Sequence, residues 1–145
     1  MTAFEQAIIF AVRAHEGQRR RGESTPYIIH PMEVAAICAS MTSDEDVLAA
    51  AVLHDTVEDT DVTVEEIREI FGDEIADAVA LMTHANGVPY MDYVKEIGKN
   101  PLARKVKLAD LTHNMDIRRI RNPRQKDYDR IEKKYKPAYE YLKGV

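Results

Sequence analysis

Residues 48–60, LAAAVLHDTVEDT, carry an apolar, alanine-rich run straight into His54, Asp55, Glu58 and Asp59. Four ionisable side chains thus follow a segment with almost nothing polar in it, and the rest of the chain is organised around that stretch. On a helix turning about 100° per residue the four positions span an arc of roughly 140° and share one face. Glu58 lies a turn beyond His54, and Asp59 a turn beyond Asp55. An ionised carboxylate buried without a partner costs several kcal/mol or takes up a proton. The face therefore calls for water, a basic partner or a metal ion.

The segments on either side read as helix after helix. Thr2 and Glu5 have capping-box spacing ahead of Phe4, Ile8, Ala11 and His15, which recur at helical intervals. His15 reads as a core or supporting histidine rather than a ligand. The helix is expected to run out in GQRRRGESTP, a loop by its glycines, serine, threonine and proline. His30 precedes Pro31, a residue favoured in a first helical turn, so His30 is held at a helix entrance. Behind it Val34, Ile37, Cys38 and Met41 form a core face. Thr42 and Glu45 predict a capping box for the central helix, and Thr63 with Glu66 predicts another. That next helix places Ile67, Ile70 and Phe71 on its apolar face and ends at Gly72. Asp73 is expected to cap a helix through Ile75, Ala76, Val79 and Met82, followed by the turn 85–89. A shorter helix carries Tyr90, Tyr93, Val94 and Ile97. Asn100 and Pro101 start a long one, with a stripe of Leu102, Val106, Ala109, His113, Ile117 and Ile120 running to Asn122-Pro123. The last segment, about 126–143, has Ile131, Tyr135, Ala138 and Leu142 in helical register, with Pro137 expected to kink or divide it. No alternating run is long enough for a sheet. The expected class is all-α, one domain over 1–145.

At 145 residues with 45% hydrophobic and 31% charged side chains, the chain reads as a globular protein. Its formal net charge of -5 argues against nonspecific nucleic-acid binding, although a local basic patch is compatible with it. Cys38 is the only cysteine, which excludes an internal disulfide and a thiolate zinc site and fits a reducing cytoplasm. The N-terminus lacks signal-peptide character, and no apolar run approaches a membrane span.

A His-Asp dipeptide alone fits an exposed helix residue or a satisfied core pair. His30, His54, Asp55 and Asp110 taken together, each at a helix entrance or beside an apolar stripe, form a mixed nitrogen and oxygen set that suits Mn²⁺, Fe²⁺, Co²⁺ or Zn²⁺. Adjacent side chains on a helix diverge, so His54 and Asp55 reach one ion only if it lies close to their helix. Spacing alone leaves a metal site and an ordinary polar cluster both open.

The pieces AHEGQRRR, TPYIIHP, LHDTVEDT and KLADLTHNM are ordered and spaced as in the HD-domain metal-dependent phosphohydrolases. The chain most resembles the hydrolase domain of the RelA/SpoT alarmone enzymes, especially the small stand-alone type. The resemblance covers most of residues 3–120 and only loosely the C-terminal segment. It implies a helical bundle holding one divalent ion, usually manganese, that removes pyrophosphate from the 3′ position of guanosine tetra- or pentaphosphate. By motif position His30, His54, Asp55 and Asp110 would be metal ligands, and Glu58 and Asp59 the catalytic acidic pair. Arg20 and Arg21 would contact the nucleotide, Asn114 the nucleoside and Lys107 a phosphate.

The sequence departs from the family in three places. The arginine loop differs in length and glycine placement from that of the long enzymes, Leu111 replaces a common basic residue, and the segment between His84 and Asn100 matches weakly and is expected to set which nucleotide fits. There is no room in 145 residues for the synthetase and regulatory domains of the long enzymes, so hydrolysis without synthesis is expected. The partner is then a small guanine nucleotide, with neither nucleic acid nor membrane. Tyrosines and methionines on the later helices suit either a homo-oligomer contact or plain core. The alternatives are an HD phosphohydrolase acting on a nucleoside monophosphate or on the 2′-phosphate of NADPH, and a nucleotide-binding module without useful catalysis. The intact Glu58 and Asp59 count against the last.

Overall fold

A computed structural model describes residues 1–21 and 24–145; Gly22 and Glu23, within the arginine-rich loop, lie outside the described residues. Helix α1, Ala3–Ala14, starts at a capping box in which Thr2 accepts from the Glu5 amide and Glu5 accepts from the Thr2 amide. The loop after it makes one isolated antiparallel bridge, Arg19 to Pro26, the only β pairing among the described residues. Helix α2, Ile29–Ala39, takes His30 and Pro31 into its first turn and buries Val34, Ala35 and Cys38. Met41, read as core, is 64% exposed just beyond the helix end.

Helix α3, Glu45–Leu53, is the centre of the fold. It buries Val47 and every residue from Ala49 to Leu53, and it packs against α1, α2 and two later helices. The alanines explain this, because small side chains let neighbouring backbones approach on several sides. Its cap is Asp44 rather than Thr42. Asp44 accepts from the Asp46 amide, Thr42 accepts from the Asp44 amide, and Glu45 reaches across to the Phe4 amide. The expectation of one continuous helix over 48–60 also fails. The chain turns at His54 and Asp55 and resumes as a single helical turn, α4, Thr56–Asp59. Side chains cause the break: His54 Nδ1 donates to the Ala51 carbonyl at 2.6 Å, and the Thr56 hydroxyl donates to the Leu53 carbonyl at 2.8 Å. These are carbonyls that a continuing helix would use itself.

Helix α5, Val64–Phe71, starts at the expected Thr63–Glu66 box and ends at Gly72, whose φ of +93° favours glycine. Ile70 is 52% exposed rather than core. Helix α6, Asp73–Leu81, follows with Gly72 at its cap position, because the Asp73 carboxylate is paired with Arg68 at 2.9 Å. Helix α7, Tyr90–Gly98, precedes α8, Pro101–Asn114, which is capped by Asn100 as expected. Helix α8 stops well short of Asn122. Asp116 accepts from the Arg118 amide, giving the backbone a local alternative to further helix, and a short 3₁₀ turn, Ile117–Arg119, follows. Helix α9, Gln125–Arg130, passes through a π-helical turn, Ile131–Tyr135, into α10, Lys136–Gly144. The helix runs on past Pro137, and the expected interruption takes the form of the π-helical turn just before it. A wide turn just before a proline is one way a helix accommodates the missing donor.

Leu142 and Ala138 of α10 are fully buried, α10 packs on α7 and α8, and Arg104 donates to the Leu142 carbonyl at 2.7 Å. The chain is all-α, and among the described residues no helix is long and apolar enough to cross a membrane. Because Ala50 has no free surface at the middle of α3, Ala50→Leu is expected to lower the unfolding free energy by about 1–3 kcal/mol, measured by urea denaturation.

Candidate active site

Three distant segments bring His30, His54, Asp55 and Asp110 together. His30 Nε2 lies 2.8 Å from Asp110 Oδ1 and 3.6 Å from Asp55 Oδ2; His54 Nε2 lies 3.1 Å from Asp55 Oδ2 and 3.4 Å from Asp110 Oδ1. The break between α3 and α4 is what lets consecutive side chains, His54 and Asp55, aim at one point. Both histidines and Asp110 are buried. His54 Nε2 is buried and close to two carboxylates, yet aligned for a hydrogen bond with neither. Its other nitrogen donates to a carbonyl, so in the neutral ring Nε2 carries a lone pair aimed into the cluster. The ligand atoms of His30, His54 and Asp110 lie close enough together to hold one ion, and Asp55 Oδ2 lies 3.1 Å from His54 Nε2 and 3.6 Å from His30 Nε2, a mixed nitrogen and oxygen set that fits a divalent cation.

The same groups set the charges within the cluster. Burial pushes the Asp110 carboxyl up, but Lys107 and the two histidines outweigh it and hold its pKa well below the usual carboxylate range. Burial likewise raises Asp55, and His54 and His30 more than reverse this. Burial lowers the His54 imidazole, whereas Asp55 and Asp110 carry its pKa well above the ordinary value. The carboxylates are thus kept ionised in the interior.

Around the cluster stands a supporting layer. Tyr27 donates to Asp55 Oδ2 at 2.5 Å, and its ring packs on His15, which is buried and bonded to Gln18. Gln18 in turn donates to the Asp59 carbonyl. Asn114 donates to Asp110 Oδ1 at 3.2 Å and accepts from Arg20 at 2.7 Å. Lys107 is 8% exposed, and its ammonium lies 2.8 Å from Asp110 Oδ2. Of the two arginines singled out from the sequence, Arg20 is buried at 7% exposure and Arg21 is exposed; both line the cleft. Glu58 Oε1 accepts from the His84 amide at 2.7 Å. Asp59, beside Glu58 and Asp55, is pushed up to about 6 by burial and by those two charges.

The cluster is the floor of a cleft of about 780 Å³. Its walls include residues that sequence reasoning did not single out. His84 stacks on Tyr93 with ring centroids 4.5 Å apart, and Lys134 lies 4.6 Å from the Tyr90 ring. Arg119, Arg121, Arg124, Lys126, Arg130 and Lys134 line the side contributed by the C-terminal segment. The signal was there, because residues 118–134 hold a dense run of cations in a chain of net charge -5. Among the described residues, nine lysines and arginines line the cleft against five acids, so the cleft favours a polyanion that a chain of net charge -5 would as a whole repel.

Comparison with known proteins places this geometry in context. The HD domain profile matches residues 7–139. Xenopus tropicalis MESH1, a guanosine-3′,5′-bis(diphosphate) 3′-pyrophosphohydrolase, is 38% identical, with 97% of this chain and 83% of that protein covered. The bifunctional (p)ppGpp synthase/hydrolase SpoT of Escherichia coli is 37% identical over 76% of this chain, which spans only 17% of SpoT. The solved structure of a metazoan SpoT orthologue that hydrolyses ppGpp superposes with a TM-score of 0.82 at 28% identity, covering 99% of this chain and 87% of that one.

Lys107 and Asp110 form a buried pair whose members hold each other charged. Lys107→Met is expected to destabilise the fold by about 3–5 kcal/mol by leaving Asp110 without its cation, read as a shift in the denaturation midpoint.

Proposed function

Because the chain belongs to the HD-domain family, we propose that it is a divalent-metal-dependent hydrolase that removes pyrophosphate from the 3′ position of guanosine tetra- or pentaphosphate. The observation that carries this reading is the cluster of His30, His54 and Asp110, with Asp55, Glu58 and Asp59 grouped beside it, at the floor of a cleft walled by cations. His30, His54, Asp55 and Asp110 would hold the cation, which we take to be Mn²⁺. When bound, it supplies a Lewis acid that lowers the pKa of water and draws charge off a phosphoryl oxygen.

The chain's own residues do the remaining work. Glu58 has one carboxylate oxygen fixed by the His84 amide, which leaves the other to orient an attacking water and take its proton. Asp59, with a pKa near 6, suits proton transfer near neutral pH and lies beside Glu58 and Asp55. Attack by water on the phosphorus bonded to the 3′ oxygen forms one P–O bond and breaks another. The products are pyrophosphate and a free 3′ hydroxyl.

Arg20 and Arg21, with the basic side of the cleft, offer planar and point-charge donors to the phosphate groups. The position of Arg20 against Asn114 ties the nucleotide-facing loop to the cluster through Asp110. Asn114 uses both ends of its amide in that link, so we assign it to positioning as well as to the nucleoside. Lys107 supports the ligand Asp110 from behind as well as facing the cleft. The aromatic wall of His84, Tyr90 and Tyr93 comes from the segment expected to decide which nucleotide fits. Residues 125–144 contribute to the same cleft and the same core, so we read them as part of one hydrolase unit with residues 3–120.

Purified protein with Mn²⁺ and guanosine tetraphosphate is expected to yield GDP and pyrophosphate in equal amounts. No turnover of that nucleotide, with orthophosphate released from others, overturns the assignment. Asp55→Ala and Asp110→Ala should lose metal and activity together, whereas Glu58→Ala should retain Mn²⁺ and lose about 10²–10⁴-fold in kcat. Replacing Arg20 should mainly raise KM.

A further inference from the structure

His30 and His54 face the same carboxylates but are held differently from behind. His54 Nδ1 points at the Ala51 carbonyl, an oxygen that can only accept, so the ring carries a proton there, and the neutral form that could hold a cation would do so through Nε2. His30 has no carbonyl in that place. Its Nδ1 lies 2.7 Å from Nδ1 of His113, and the two rings are nearly parallel, 21° apart with centroids at 5.0 Å.

A contact that short between two imidazole nitrogens requires one N–H and one lone pair, since two of either would repel. His30 can hold a cation through Nε2 only if its proton is on Nδ1, and His113 must then accept. We propose that His113 is a positioning residue for the cation site: with a cation bound, its Nδ1 accepts from His30 Nδ1–H and fixes the tautomer in which His30 Nε2 turns a lone pair towards the ion, in place of the contact that Nε2 makes with Asp110. His113 therefore does for His30 what the Ala51 carbonyl does for His54. This role rests on the reading of those four residues as cation ligands.

The difference between the two supports is chemical. A carbonyl is a fixed acceptor, whereas an imidazole accepts at Nδ1 only when its own proton is on Nε2. His113 is half-buried, one turn along α8 from Asp110, so the helix that carries the ligand also carries the group that orients the ligand opposite it. An asparagine at 113 offers a carbonyl oxygen near the place of Nδ1 and restores a fixed acceptor. Leucine fills the space with none.

Binding of Mn²⁺ alone, followed by loss of the free-ion electron paramagnetic resonance signal, separates these cases. His113→Leu should weaken Mn²⁺ binding by about 10- to 100-fold, while His113→Asn should stay within about threefold of the parent. Equal affinity for parent and leucine variant overturns the role, as does equal weakening by asparagine and leucine. A parent protein that binds no Mn²⁺ overturns the cation site itself, a result distinct from either.

A measurement on the unsubstituted protein is independent of how the variants fold. In ¹⁵N-histidine spectra of the Cd²⁺-loaded form, His30 should be the Nδ1–H tautomer and His113 the Nε2–H tautomer. A proton on His113 Nδ1 overturns the proposal.

Discussion

The carboxylate of Asp110 joins parts of the chain that are far apart in sequence. One oxygen meets His30 of α2 and Asn114 of its own helix and lies 3.4 Å from His54 at the α3–α4 break; the other takes the Lys107 ammonium. Three segments meet at one buried acid, and the acid is kept charged in the interior by the groups around it. A buried ion pair adds little net stability relative to a packed apolar pair, but losing one partner strands the other. The arrangement is accordingly a specification of geometry more than a source of stability. Stability comes from the alanine-rich α3 and the helices that enclose it.

Charge is sorted inside the cleft. Its floor is acidic and imidazole-rich, a composition that suits a divalent transition-metal ion, while its rim is rich in arginine and lysine, a composition that suits a phosphate chain. Opposite demands are met a few residues apart because they are met by different segments. The floor comes from α2, the α3–α4 turn and α8, the basic side largely from the chain between α8 and α10. An overall charge of -5 disfavours nonspecific anion binding, whereas the basic side of the cleft favours a polyanion.

Much of the fold was legible from local chemistry. The capping boxes at Thr2 and Thr63, the Asn100-Pro101 start and the Gly72 stop depend on residues three or four apart, and each stands where its pattern puts it. The misreadings share one cause. Thr42 lost its cap to Asp44, Asp73 was taken by Arg68, α8 was stopped by Asp116, and the 48–60 helix was cut by the side chains of His54 and Thr56. In each case a short polar side chain offered the backbone or a neighbour a competing hydrogen bond, and periodicity does not register such competition. Met41 and Ile70 failed for a related reason: helical spacing identifies a face but not what covers it.

By itself the sequence determined the all-α class, the alanine-rich helix that others enclose, and the residue types able to hold a cation and attack a phosphate ester. These follow from helical periodicity, from capping chemistry and from the donor atoms a side chain carries, all of which are local. Only the tertiary structure decided that His30 meets Asp110 across 80 residues, that His113 stands behind His30, and that the cations of residues 119–134 line the acidic floor. Those juxtapositions depend on how helices cross and on which way a turn aims its side chains, and both are set by the packing of the whole core rather than by any segment of it.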